Sequence, residues 1–428
     1  MLVSHRRRMS ALAYAATATG LLMAGCSSPQ QAPSTGTSIS GRGPITLATG
    51  KDSSGTLVRL VSQWNAQHPK ERVRVVQMSD SPDEQRQRMI QDARLKSGEF
   101  SVLSLDVVWT AEFAANRWIT PLPKARTEQF LKPTVEGASY RGELFAMPWT
   151  SDAGLLFYRK DLLAKVGVRP PQTWQQMKKA CNEILARTTG TSCYAGQFDK
   201  YEGLTVNFAE AVDSAGGAVT DAEGQPTVNT PEAERGLRFL TDAFADGLIP
   251  KKAITFKEEE GRQEFQKGRL VFHRQWPYQW SLASAKDGSS KVAGKFGVVP
   301  LPGADGPGKS SLGGHNLAVS TGAKNKATAL DFITFLTSRQ TQRTNLLLSS
   351  NAPTDASLYD DGDLVKKYPY LPVLKEAILA ASPRPRVVRY GDATAAIQDA
   401  AYRALSGQST PREALKELQS RLAALPAS

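Results

Sequence analysis

Histidine is scarce in this chain of 428 residues: His5, His68, His273 and His315 are all it has. None falls in an H-E-x-x-H pair. No G-x-S-x-G or G-x-x-x-x-G-K-[ST] is present, and no G-x-G-x-x-G opens a helix after a strand pattern. The local signatures of zinc hydrolysis, a nucleophile elbow and phosphate cradling are therefore absent. Carboxylates are plentiful and leave a glycosidase pair open, but nothing positively marks an enzyme. What stands out is aromatic, acidic and arginine residues in loops. The segment L-D-V-V-W-T-A-E-F, Leu105 to Phe113, sets Asp106 at the end of an apolar strand pattern. In open α/β sheets ligands bind outside the carboxyl ends of strands. A carboxylate there can equally cap the next helix by accepting backbone N–H groups, and both readings stay open.

The elements that must position such residues alternate in period. Ile45 to Ala48, Arg72 to Met78 and Val102 to Val108 read as strands, and Leu57 to Gln67 has helical spacing. Pro82 to Leu95 reads as a helix, with Ser81 as N-cap, Pro82 at the first helical position and Glu84 three after the cap. Thr173 predicts a helix start running to Arg187, Thr230-Pro231 one running to Ala245, and Ser409-Thr410-Pro411 the last. Strands separated by helices predict an α/β fold with a parallel sheet. No fixed-period repeat is visible, which argues against solenoids and propellers.

Ala146 to Leu162 (A-M-P-W-T-S-D-A-G-L-L-F-Y-R-K-D-L) resembles the hinge strand of extracellular sugar-binding proteins of ABC importers, and Gly167 to Trp174 (G-V-R-P-P-Q-T-W) resembles their next stretch. Ser81 to Arg86, Asp106 to Phe113, Tyr201 to Leu204, Phe265 to Gly268, Trp276 to Trp280, Leu312 to Gly314 and Pro383 to Pro385 follow the same family in order. The whole looks most like the trehalose/maltose-binding branch of the family 1 solute-binding proteins. The resemblance implies a two-lobe periplasmic-binding-protein-like α/β fold with a hinge between lobes. It places residues 44–148 and 300–352 in an N-terminal lobe and 149–299 and 353–428 in a C-terminal lobe. Position by position it implies sugar contacts at Arg86, Asp106, Asp152, Glu258, Trp276, Gly314, His315 and Arg384, with Glu202 and Tyr278 as further contacts. One more acidic contact falls on Asp52 or Ser53. The implied partners are a disaccharide and the membrane subunits of an ABC permease, with no cofactor, no metal and no catalytic residue.

These residue types suit sugar on chemical grounds as well. Sugars present hydroxyls on their rims and C–H patches on their faces. Trp149, Trp276, Tyr278 and Trp280 supply rings, Asp106, Asp152, Glu202 and Glu258 acceptors, and Arg86 and Arg384 donors. Within W-P-Y-Q-W at least one ring is expected to be core packing. The alternatives from other classes are a cell-wall glycan-acting glycoside hydrolase and a glycan-binding adhesin without transport.

Residues 1–25 form an export signal: Arg6, Arg7 and Arg8, then an apolar run from Ala11 to Met23, then Ala24-Gly25 before Cys26. The run is too short to cross about 30 Å of hydrocarbon. Ala24-Gly25-Cys26 resembles the lipobox of bacterial lipoproteins, with Met23 where Leu is usual, so Cys26 is expected to carry the lipid. Residues 26–43, rich in Ser, Thr, Pro, Gln and Gly, read as a tether, with an end-to-end distance of roughly 22 Å. The expected location is the outer face of the cytoplasmic membrane, as a monomer. The remaining chain of about four hundred residues exceeds one ordinary core. The formal charge of +12 falls to +9 without the three signal arginines. The basic residues are scattered and lack the aromatic interleaving of a nucleic-acid site, so no nucleic-acid partner is expected. Cys181 and Cys193 are the other cysteines, and in an exported chain they read as one disulfide.

Overall fold

Asp106 is where the apolar run starting at Val102 stops being a strand. Its side chain accepts from the Val108 backbone N–H at 3.2 Å, which turns Val107–Trp109 into a 3-10 turn. The strand pattern expected through Val108 therefore ends at Asp106. The computed structural model describes residues 39–425 apart from 53, 124, 125, 222 and 386. Cys26, the signal and most of the tether lie outside the described residues.

Among the described residues there are eleven strands. β1 (Ile45–Thr49), β2 (Val73–Gln77), β3 (Val102–Asp106), β6 (Ala146–Ala153) and β11 (Leu312–Val319) form one sheet in the order β2-β1-β3-β11-β6. β7 (Leu155–Arg159), β8 (Ser192–Ala195), β9 (Leu270–Gln275) and β10 (Phe296–Val299) form a second, ordered β10-β7-β9-β8. The two-residue strands β4 (Ser139–Tyr140) and β5 (Glu143–Leu144) make a small hairpin.

The expected parallel sheet is only partly found. β1 is parallel to both β2 and β3, whereas β11 runs antiparallel to β3 and to β6. In the second sheet β8 is parallel to β9, and β7 is antiparallel to β9 and β10. The reason is topological. Strands that carry the chain between two sheets cannot all return through a same-sense crossover.

Only Gly154 separates β6 from β7, so the first crossing is one residue long. β6 pairs with β11 out to Ala153, past the expected boundary at Pro148. A second crossing runs from β10 to β11 through Ser310 and Ser311. A third passes Ser382, whose N–H donates to Ser310 O at 2.8 Å while its own carbonyl accepts from Leu312 N at 2.9 Å. Helix Leu371–Leu379, expected in the C-terminal lobe, packs against β6 and helix Lys132–Gly137.

Apolar side chains pack against both sheets, in one cluster that reaches from the first to the second and in another against the first alone. Against the first, Trp64 meets Phe332 edge-on at 5.3 Å, beside the buried Leu47, Leu60 and Leu336. Burying each such side chain stabilises by about 1.5–3 kcal/mol. Against the second, Phe157 and Phe265 pack at 6.3 Å, and helix Tyr390–Leu405 lies along helix Glu202–Ser214.

Local signals explain the helix starts. Thr173 accepts from Gln176 N at 3.2 Å and Thr230 from Ala233 N at 3.2 Å. Thr410 and Glu413 form a reciprocal capping box. Ser81 differs. Its side chain makes no cap bond, and Pro82 with the acidic first turn of Asp83 and Glu84 starts that helix instead. In G-V-R-P-P-Q-T-W, Gly167 at φ 70° ends helix Lys160–Val166, and Trp174 stacks on Phe239 at 4.1 Å. The Cys181–Cys193 disulfide ties helix Trp174–Leu185 to β8, with 5.5 Å between Cα atoms. Residues 40–43, expected as the end of the tether, are bound to the first lobe. Ser40 O accepts from Lys326 N at 3.0 Å, and Arg42 reaches Glu71 at 3.0 Å and Asp331 at 2.7 Å.

Candidate ligand-binding site between the lobes

Three expected contacts form one buried ion array. Arg384 donates to Asp106 through Nη2 at 2.6 Å and Nη1 at 3.2 Å, and to Glu202 through Nη1 at 2.5 Å. Asp106 ends β3 in the first lobe, and Glu202 opens a helix of the second. Both Glu202 oxygens are engaged: Tyr390 Oη donates to one, and Thr394 Oγ1 to the other at 2.7 Å. Burial pushes the Glu202 carboxyl up, against the pull of Arg384. Glu202 was expected as a sugar acceptor. Its lone pairs instead hold Arg384, whose side chain is 2% exposed. Asp106 caps the turn, as one of its two readings expected, and 14% of its side chain stays open.

Arg86 is likewise committed within the protein. It grips Glu112 through Nε at 2.7 Å and Nη2 at 2.5 Å, and its Nη1 lies against Gly391, where a Cβ would come within 2.3 Å. Nearby, Asp83 accepts from the Glu202 backbone N–H at 3.1 Å.

A second group stands differently. Asp152 on β6 lies opposite Gly313 on β11. Among the described residues its carboxylate has no hydrogen-bond partner. Burial pushes it up to about 7. Arg274 pulls it down, and Asp106 adds to the rise. Trp276, just after β9, presses its edge on Gly313, where a Cβ would fall 2.8 Å from Cζ3. Its face covers the Arg274 guanidinium at 3.9 Å. Glu258 accepts from Tyr201 Oη at 2.7 Å, and burial raises its carboxyl while bonds from Tyr201 and Trp276 oppose the rise. Tyr278 donates to Glu259 at 2.8 Å rather than to Glu258.

Gly314 has φ 103°, and a Cβ there would fall 2.2 Å from Thr150 O, so the strand contact itself demands glycine. His315 lies opposite Asp106 in register. Burial lowers its imidazole, which favours the neutral ring. Asp52 caps helix Thr56–Gln67, accepting from Ser54 N and Leu57 N, each at 2.9 Å. Ser53 is outside the described residues. Trp280 is half-buried against the core, tilted on Tyr370 at 4.8 Å, while Trp149 is buried and its Nε1 has no partner among the described residues.

Sequence reasoning missed Arg274, Glu210 and Glu112. The only signal for Arg274 was a cation inside the apolar strand L-V-F-H-R-Q. Among the described residues no three His, Cys, Asp or Glu side chains converge as a metal site, and no helix is long and apolar enough to cross a membrane.

Two sheets joined by three crossings, with carboxylates and a ring at their meeting, make a two-lobe frame around a polar and aromatic cleft. The profile of the bacterial extracellular solute-binding protein family matches residues 48–343, and the chain belongs to that family. A probable ABC transporter-binding protein of Deinococcus radiodurans is 34% identical, over 82% of this chain and 86% of its own length. Maltose-bound MalE3 of T. maritima superposes with a TM-score of 0.83 at 33% identity, covering 89% of this chain and 98% of that one. A Thermotoga lettingae solute-binding protein bound with α-D-tagatose has a TM-score of 0.80 at 22% identity, covering 89% of this chain and 99% of that one, and shares the fold. The fold is thus the two-lobe periplasmic-binding-protein-like α/β architecture, and the protein is a binding protein rather than an enzyme.

Proposed function

We propose that this protein is the receptor of an ABC importer for sugars or polyols, and within that class for a disaccharide such as maltose or trehalose. The observation that carries the reading is Asp152, a carboxylate without a hydrogen-bond partner among the described residues, beside the Trp276 ring. Such a pair offers an acceptor for rim hydroxyls and a flat surface for a C–H face. Glu258 and Asp106 add acceptors, and His315, as a neutral ring, is a further contact. Gly314 contributes backbone only. Arg86, Glu202 and Arg384 frame the site, and Tyr278 orients Glu259. The maltose in the T. maritima neighbour is consistent with a disaccharide.

The two lobes divide at Gly154, at Ser310–Ser311 and at Ser382, and the ligand lies between them. Delivery to the permease follows from a monomer held at the membrane by a lipid on Cys26, which the basic, apolar, Ala-Gly-Cys order supports. Calorimetry against maltose, trehalose, mannitol, ribitol and tagatose tests the reading. Saturable binding of a disaccharide, with the monosaccharide and polyols weaker, is expected. Tightest binding of mannitol or ribitol would overturn the disaccharide assignment.

A further inference from the structure

Arg274 and Trp276 are two residues apart, so they project from the same side of the chain as it leaves β9. The Arg274 side chain is 1% exposed, and each of its three nitrogens donates a hydrogen bond. Nε and Nη2 grip Glu210 at 2.7 and 2.5 Å, and Nη1 donates to Gln197 at 2.9 Å. Glu210 also accepts from Ser311 N at 3.2 Å and Ser310 Oγ at 3.2 Å. Ser310 Oγ in turn accepts from Gly154 N at 2.5 Å. A Cβ on Gly154 would lie 2.5 Å from both Arg274 Nη2 and Glu210 Oε1. One buried ion pair therefore touches two of the crossings between lobes and underlies the ring.

An ion pair so deeply buried is a poor choice for stability alone, since apolar side chains of similar volume often pack there at no loss. What methionine or leucine would lack is a rigid, planar cation that holds an indole face by electrostatics. The opposite constraint on the ring is the Gly313 backbone.

The structure assigns Arg274, pinned by Glu210, as the positioning residue that sets the plane of Trp276 and couples that ring to the inter-lobe crossings. The inference rests on the sugar-binding reading, for which the ring must meet the apolar face of a sugar. Preorganising the ring lowers the ordering cost of binding.

Fluorine NMR of protein labelled with 5-fluorotryptophan tests this, with the Trp276 line identified by its loss in Trp276→Phe. Two variants are compared with wild type. Arg274→Lys keeps the charge but not the plane. The double variant Arg274→Met/Glu210→Gln removes the pair without stranding a buried charge. The Trp276 line is expected to broaden or split in both variants without any ligand present. Affinity for maltose, or for whichever panel sugar the wild type binds best, should fall about tenfold, with the double variant still unfolding cooperatively. An unchanged Trp276 line, or unchanged affinity, overturns the assignment. If wild type binds none of the panel, the sugar reading has failed, and the ligand-free line alone decides whether Arg274 fixes the ring.

Discussion

Asp106 and Arg384, 278 positions apart, are joined by two hydrogen bonds, at 2.6 and 3.2 Å. One ends a first-sheet strand, and the other precedes the helix that packs along the second lobe. With Glu202 they make two anions around one cation, so Arg384 is the member that cannot be removed alone. Arg384→Met is expected to destabilise by about 3–5 kcal/mol, because the buried Glu202 and the half-buried Asp106 lose their counter-charge. Urea unfolding measures it, and a loss below about 1 kcal/mol would contradict the array.

Asp152 has nothing comparable to lose. Asp152→Ala should weaken binding of the best panel sugar roughly ten- to a hundredfold, as expected for charged hydrogen bonds to hydroxyls, and leave the melting temperature unchanged or higher. Equal affinity in the variant would remove Asp152 from the site.

The same carboxyl gives opposite pH signs for stability and for binding. Its folded value of about 7 lies above its ordinary 3.8, so the folded protein holds a proton that the unfolded chain has released. That stabilisation is complete below about pH 4 and is lost as pH rises through about 7. Hydroxyl donors favour the ionised form, so affinity should rise through the same window. Asp152→Asn should flatten the affinity profile and raise the melting temperature at about pH 8 more than at about pH 5. A wild-type affinity that falls with rising pH would reverse the assigned roles.

The Cys181–Cys193 bond closes a short loop across a helix and a strand. Its removal as Cys181→Ala/Cys193→Ala should cost about 2–3 kcal/mol. Alkylation of the oxidised protein should find neither thiol.

Cys26→Ala should release the protein from the membrane fraction into the medium or periplasm. Retention of the variant in washed membranes would exclude the lipid on Cys26.

Local chemistry was readable in the sequence wherever one residue decides the outcome. Thr173, Thr230 and Thr410 cap the helices they precede, and the two cysteines pair. Ser81 carries the same signature and does not cap, because proline and two acids already start that helix. The antiparallel strands β6 and β11 could not be read from their residues, since strand direction depends on where a distant crossing returns. The site shows the same limit. The chemistry of Asp152 and Trp276 follows from type and position, but whether an arginine meets a ligand or a carboxylate is a pairwise fact. Arg86 finds Glu112 and Arg384 finds Glu202, across separations no local pattern encodes. Asp106, expected as a sugar contact or a helix cap, holds Arg384 as well.

Arg42 clasps Glu71 and Asp331 just ahead of the first strand. Any load arriving along the N-terminal backbone is thus passed to the first lobe and not to the crossings. Opening and closing are motions of one lobe relative to the other, and the N-terminal attachment point travels with the first. A distance reporter for closure should accordingly carry one label on the first sheet and the other on the second.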